Sequence, residues 1–260
     1  MKIEEPKPYL SVVIPAYNEE MRIGQTLEAI HHYLLAQTFT WEVLIVLDGS
    51  KDNTLSVIEE FAKGKPRFRW INRRENRGKG YTVRQGMLAA HGAIRLFTDA
   101  DNSTDMSHFD KMKPYFAEEA NVVICSRDSK DALGAKQSVP QSPFKRFLGN
   151  AGNLLIQMMA VPGIWDTRCG FKAFSAEAAQ KIFSLTSMDG WSIDDEALAL
   201  ALRSGYKIHV VAANWVNADG THVRQMDYLK NIGNALQIRW RLMTGFYDRP
   251  QRATDPVIET

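Results

Sequence analysis

Four short apolar runs, rich in β-branched residues and closed by turn residues, constrain this chain more than any other feature: Leu10–Ile14, Val43–Leu47, Ile94–Phe97 and Val122–Cys125. They lack polar alternation, as strands covered by helices on both faces should. Between them, apolar residues recur at helical spacing: Ile23, Leu27, Ile30 and Leu34 after Asn18, read as the N-cap; Leu55, Ile58, Phe61 and Ala62 after Asp52; Val83, Met87 and Ala90 after Asn76. The alternation predicts an α/β architecture with a mostly parallel central sheet and right-handed crossovers. Further on, the pattern predicts a helix over Phe144–Ala160, a strand over Phe171–Phe174, helices over Ala176–Phe183 and Asp194–Ser204, and a strand over Ile208–Ala212. Gly, Ser, Gln and Pro collect in Asp128–Ser142, the candidate mobile loop.

At 260 residues the chain is near the upper limit for one hydrophobic core, so a single domain is expected. Its 32 Lys and Arg stand against 30 Asp and Glu, which leaves no global footprint for nucleic acid. Two cysteines, Cys125 and Cys169, cannot staple a fold of this size. The apolar stretch Asn153–Trp165 is interrupted by Gln157, Pro162 and Gly163 and falls short of the roughly 20 residues of a bilayer span. MKIEEPKP lacks the basic start and apolar region of a secretory signal, and a cytoplasmic protein is the expectation.

In open α/β sheets ligands bind beyond the carboxyl ends of the strands, and there this chain is acidic. Asp48-Gly49-Ser50 closes one run, and Thr98-Asp99-Ala100-Asp101 another. In an extended segment the carboxylates of Asp99 and Asp101 can point the same way and share Mg²⁺ or Mn²⁺, hard cations that accept one or two carboxylates plus substrate phosphates. The same pair could instead cap a following helix. Pro15-Ala16-Tyr17-Asn18-Glu19 offers a rigid turn, an aromatic face and a carboxylate, which suit a nucleobase. In Asn76-Arg77-Gly78-Lys79-Gly80, two glycines allow close approach of the backbone to a ligand, and the cations sit at a helix start that favours anions. Neither a P-loop nor a Gly-x-Gly-x-x-Gly fingerprint is present, which removes the main support for nucleotide hydrolysis and dinucleotide redox chemistry.

These motifs, with Asp166-Thr-Arg-Cys-Gly-Phe-Lys172, stand in the order seen in glycosyltransferase family 2, and the chain resembles its dolichyl-phosphate (polyprenyl-phosphate) glucosyl- and mannosyltransferase branch over roughly residues 9 to 247. The resemblance implies a GT-A fold, a nucleoside-diphosphate sugar donor such as UDP-glucose, Mg²⁺ or Mn²⁺, inversion at the anomeric carbon and a polyprenyl phosphate acceptor. It divides the domain, residues 1–247, into a nucleotide-sugar half (9–126), an acceptor half (127–221) and a basic amphipathic C-terminal helix (222–247), followed by a tail (248–260). By position, Pro15, Ala16, Tyr17, Glu19, Asp48, Gly49, Ser50, Gly78, Lys79, Asp99, Ala100 and Asp101 would bind the nucleotide sugar, with Asp99 and Asp101 on the metal. Where relatives carry two acids this chain has Leu47-Asp48, so the first is missing.

Asp194, in Trp191-Ser-Ile-Asp-Asp-Glu196, matches the family's acceptor-side acid. It could take a proton from a hydroxyl acceptor, or orient the sugar or acceptor if the latter is an already anionic phosphate. Alternatively, these acids only complement the dipole of a helix start. Arg127, Arg146, Arg168 and Lys172 are the candidate partners of an acceptor phosphate, and His222 is a candidate for approach to the metal or diphosphate. Residues 222 to 252 carry six basic and two acidic side chains. Leu229, Ile232, Leu236, Trp240 and Met243 fall on one helical face, and Lys230, Asn234, Gln237 and Arg241 on another, which fits either an interfacial membrane helix or a helix docked on the core. Three alternatives remain: a soluble family 2 transferase with a hydroxyl acceptor, a nucleotide-sugar binding module without turnover, and, disfavoured for want of a Gly-rich basic loop after the first strand, a nucleotidyltransferase.

Overall fold

The structure, a computed structural model, describes residues 7–137, 153–215 and 225–249. A seven-stranded sheet forms its centre, and its strands in chain order are β1 (Leu10–Ala16), β2 (Trp41–Asp48), β3 (Phe68–Arg73), β4 (Ile94–Thr98), β5 (Val122–Ser126), β7 (Phe171–Ser175) and β8 (Ile208–Ala212). Their spatial order is β3-β2-β1-β4-β7-β5-β8, with β7 antiparallel to both neighbours and every other pairing parallel. Two short strands, β6 (Lys136–Gln137) and β9 (Asn214–Trp215), pair as a separate ribbon.

The strand period of two sorts the apolar residues into two layers. Val12, Ile14, Val43, Ile45, Leu47, Leu96, Cys125, Phe171 and Ala173 face one layer, which is closed by helices α1 (Ile23–Leu35), α2 (Thr54–Ala62) and α4 (His108–Ala117). Val13, Leu44, Val46, Phe97, Ile124 and Phe174 face the other, beneath α3 (Lys79–Ala89), α6 (Ala176–Leu185) and α7 (Ile193–Arg203). The same layer takes in Ile238 of α8 (Gln225–Met243) and the residues that follow α5, which is helical over 153–159. Each fully buried Leu, Ile or Val contributes about 1.5–3 kcal/mol relative to exposure, and all eight residues of β2 are buried.

Several expectations change. Asn18 is no helix cap: α1 begins five residues later, and Asn18 takes a left-handed φ of 54° while its side chain accepts the Lys51 N–H. The acids of Asp99-Ala-Asp101 cap no helix, since α4 starts only at His108. The residues 128–137 of the expected mobile loop are bonded turns leading into β6, pinned by Asp131, whose carboxylate accepts the N–H groups of Trp165 and Asp166. The remainder of that loop and the first part of the Phe144–Ala160 helix lie outside the described residues. Of the two arrangements open for α8, its apolar stripe is turned outward: Ile232, Leu236, Trp240 and Met243 are exposed, whereas Ala235 and Ile238 are buried, and the side chains of Leu229 and Lys230 lie outside the described residues. Asn234 and Arg241, from the expected polar face, bond inward to Ser192 and Ser187.

Candidate active site

The parallel strands all end at one edge, and the loops after β1, β2 and β4 are sewn together there. Ser50 accepts the Asn18 N–H, Thr54 the Glu19 N–H and Asp52 the Glu20 N–H. Thr26 of α1 donates to the Ala100 carbonyl at 2.7 Å, which ties the acidic loop to the first helix. Tyr17 projects from this edge with 42% of its surface exposed, as a stacking face requires. Glu19 is clamped by Arg22 through two hydrogen bonds of 2.8 and 2.9 Å. Burial raises its pKa, Arg22 opposes this, and Asp101 and Asp99 add to the rise, so three carboxylates converge on one region. The side chains of Ala16 and Ala100 face the hydrophobic layer, so the ligand contacts expected of them are limited to backbone.

Asp48 is almost fully buried and already bonded: its carboxylate accepts the N–H groups of Arg77 and Gly78, both at 2.8 Å, and a hydrogen bond from the Arg73 guanidinium. Asp48 therefore shapes the loop before α3. Arg73 ends the strand Phe68–Arg73, which the apolar-run pattern does not reveal, and stands beside Asp48 at this candidate site. Its Nε and Nη1 are buried and have no hydrogen-bond partner. Leu47, where an acid was missing, is a core residue on the opposite face of β2 from Asp48.

The two glycines of Asn76–Gly80 serve a different contact from the one expected. A Cβ on Gly78 would lie 2.4 Å from the Asp189 carbonyl oxygen, and one on Gly80 2.2 Å from that of Met188, so the close approach is to the chain's own 188–190 segment. The contact fixes Lys79 between them. Its ammonium lies 2.7 Å from Asp99 Oδ1 and 3.9 Å from Asp194 Oδ2, below the exposed ring of Trp191. Burial alone would lower the pKa of Lys79, but Asp99 and then Asp194 carry it above the ordinary lysine value.

Asp99 is held in place from the other side by Gly170, whose carbonyl accepts the Asp99 N–H and whose Cα hydrogen occupies space that a Cβ would contest with the carboxylate. This works because β7 runs antiparallel: its entrance lies beside the exit of β4. The Asp99 side chain is 38% exposed. Asp101 is partly buried and accepts the Ser103 N–H. No cluster of three or more His, Cys, Asp or Glu suited to a metal occurs among the described residues. A pair of hard carboxylates that are both partly exposed to solvent nevertheless fits a cation completed by substrate phosphates.

On the far side of Lys79, the first turn of α7 holds three buried acids, each with its own set of partners. Asp194 pairs with Lys172, Asp195 with Thr167 and Arg168, and Glu196 accepts the Ser187 and Met188 N–H groups and the Tyr247 hydroxyl. They are therefore structural ties and not simply a complement to the helix dipole. Burial alone would raise the pKa of Asp194, but Lys172 and then Lys79 hold it below the usual carboxylate range. A carboxylate so stabilised is a weak proton acceptor.

The expected acceptor cations are corrected accordingly. Lys172 is fully buried, because the alternation that sends Phe171 and Ala173 to one layer sends it beneath α7, where it bonds the Cys169 carbonyl and Asp194. Arg127 is committed to Asp166 through two hydrogen bonds of 2.7 and 2.8 Å. Arg168 shares Asp195 but keeps a buried Nε without a partner. Arg146 and His222 lie outside the described residues.

The sequence model of the family described as glycosyl transferase family 2 matches residues 11–183. The chain is 33% identical over 238 residues to a dolichyl-phosphate beta-glucosyltransferase of Trichomonas vaginalis, spanning 88% of this chain and 72% of that protein. It is 34% identical over 250 residues to the dolichyl-phosphate beta-glucosyltransferase of Drosophila melanogaster, spanning 91% and 76%. Its architecture is the GT-A fold. It superposes with a TM-score of 0.61, at 19% identity and over 94% of this chain and 80% of the other, on glucosyl-3-phosphoglycerate synthase from Mycobacterium tuberculosis in complex with Mn²⁺, UDP and phosphoglyceric acid.

Proposed function

The chain belongs to glycosyl transferase family 2, and from that premise we propose that it transfers glucose from UDP-glucose, with inversion and a divalent cation, to a dolichyl or other polyprenyl phosphate. The names of its relatives support the acceptor, and one observation of this chain carries the reading: Asp194 is buried between two ammonium groups that keep it charged. A hydroxyl acceptor needs a base to remove its proton, whereas a phosphate is anionic near neutral pH and attacks without one. Asp194 then acts as a positioning group.

Tyr17 and Glu19 border the base and ribose site, and the buried N–H groups of Arg73 supply donors at its inner end. Asp99 and Asp101 would hold Mg²⁺ or Mn²⁺, which when bound supplies positive charge to the diphosphate as it leaves. Arg168, with its unused Nε, is the described cation best suited to an acceptor phosphate. Contact with the lipid surface falls to α8, whose exposed Ile232, Leu236, Trp240 and Met243 stand beside the exposed Arg239 while Asn234 and Arg241 hold the helix to the core. No described helix is long and apolar enough to cross a membrane.

The test is turnover of UDP-glucose with Mn²⁺ or Mg²⁺ and a polyprenyl phosphate in liposomes. Release of UDP with formation of the β-linked lipid product is expected, and Asp194→Asn should retain more turnover than it would with a hydroxyl acceptor. Donor binding with no UDP release under any acceptor would identify a binding module instead. Transfer only to a soluble alcohol would refute the lipid-phosphate assignment.

A further inference from the structure

We propose that Lys79 is the resident counter-cation of the Asp99/Asp101 pair: it neutralises Asp99 in the unloaded protein and competes with the divalent ion, so that metal binds well only together with the donor diphosphate. This rests on the reading of Asp99 and Asp101 as the metal carboxylates. Three observations carry it.

The first is position. Lys79 is the first residue of α3, where the helix dipole disfavours a cation, so its charge is not placed there to stabilise the helix. The second is geometry: its ammonium is 2.7 Å from Asp99 Oδ1, on the most exposed carboxylate of the network, and 3.9 Å from Asp194 Oδ2. Asp194 already has Lys172 as a partner, so the charge of Lys79 is spent chiefly on Asp99. The third is confinement. Gly80 donates its N–H to the Asp189 carbonyl at 2.8 Å, and Trp191 lies 5.1 Å from the ammonium, so the arm is held at its base and covered at its tip. Its two nearest anions are Asp99 and Asp194, and an ammonium pushed off the first has the second within reach.

The consequence follows from charge alone. A dication that approaches Asp99 and Asp101 meets a fixed positive charge in contact with one of its ligands, which weakens binding of the free ion. A nucleoside diphosphate brings compensating negative charge, relieves that repulsion and offers the displaced ammonium a new partner. Lys79 thereby acts as a positioning residue that couples metal and donor binding.

Mn²⁺ titrations followed by the electron paramagnetic resonance of the free ion, without nucleotide, test this on wild type, Lys79→Met, Lys79→Arg and Asp101→Ala. Lys79→Met is expected to bind Mn²⁺ at least about tenfold more tightly than wild type, through loss of the repulsion. Lys79→Arg, which keeps the charge, should resemble wild type, a rescue that a purely structural role would not predict for metal affinity. If Lys79→Met does not fold, the neutral Lys79→Gln carries the same expectation. Unchanged, weaker or undetectable Mn²⁺ binding by the neutral variant, with wild-type binding abolished in Asp101→Ala, overturns the counter-cation role alone. Mn²⁺ binding that ignores Asp101→Ala overturns the metal-site reading itself, and the counter-cation role with it.

Discussion

Substituting Gly170 with alanine tests the site most sharply, because the added atom has one neighbour to displace. A Cβ there would lie 1.8 Å from Asp99 Oδ2, 2.3 Å from Cγ and 2.8 Å from Oδ1, all inside the 3.0 Å that real Cβ contacts respect. The backbones cannot part easily, since Thr98 pairs with Phe171 and the Asp99 N–H donates to the Gly170 carbonyl. The carboxylate must therefore swing away and abandon Lys79. Loss of one partner from a fully buried ion pair costs about 3–5 kcal/mol, and the 38% exposure of Asp99 reduces this to about 1–3 kcal/mol. For a chain of this size that lowers the melting temperature by about 2–4 °C per kcal/mol. The additional stabilisation by Mn²⁺ with UDP should shrink far more, because the displaced group is a proposed metal carboxylate. Gly233→Ala is the matched control: its Cβ meets nothing within 4 Å in the exposed middle of α8, so it should be neutral or stabilise by about 0.5–1 kcal/mol. Differential scanning fluorimetry with and without ligands, alongside turnover, reads both effects. A Gly170→Ala protein that melts, responds to Mn²⁺ and UDP, and turns over like wild type would show that the Asp99 carboxylate does not lie against β7.

Three further outcomes are expected. Lys172→Met should destabilise by about 3–5 kcal/mol in denaturant melts by leaving Asp194 with only the more distant Lys79, and adding Asp194→Asn should recover part of the loss; strict additivity of the two would argue against the pair. Burial alone would raise the pKa of Asp166, but Arg127 brings it below 3.8, so its contribution is fully present above that value and is lost as pH falls through the lower folded-state pKa. The stability gap between wild type and Asp166→Asn should accordingly narrow on acidification below about pH 4, and a constant gap in pH-dependent melts would exclude this. Trp240→Ser should weaken binding to anionic vesicles about tenfold, the loss of about 1.5 kcal/mol of apolar burial, with no change in melting temperature; equal sedimentation with vesicles would remove α8 from the membrane contact.

The first half of the chain was largely legible from sequence because its strands are apolar on both faces and its helices amphipathic, so β1, β2, β4 and β5 emerged within two residues of their observed ends. The strand Phe68–Arg73 was obscured by Arg69, Asn72 and Arg73, tolerable at a sheet edge where one side lacks a neighbour. The antiparallel sense of β7 could not be read because direction leaves no mark on side-chain period. The acids at the strand ends are visible in the sequence, but their partners are not: Lys172 and Lys79 look like solvated cations there, and only the approach of Asp194 at the start of α7 makes them internal. Likewise the stripe on α8 shows helical period, and that period alone cannot say which of two faces meets the core.

The reversed strand β7 has a topological consequence for how such a chain can diversify. Since it is threaded against the grain of the sheet, the long excursion between β5 and β7 both departs from and returns to the edge where the parallel strands end, with its anchors at Arg127 and Asp166 bonded to one another. Insertions, deletions or whole new elements can therefore be grafted between those anchors without re-registering a single strand. The segment between β5 and β7 is thus a closed bracket, its length free to vary while the sheet that carries it stays unchanged.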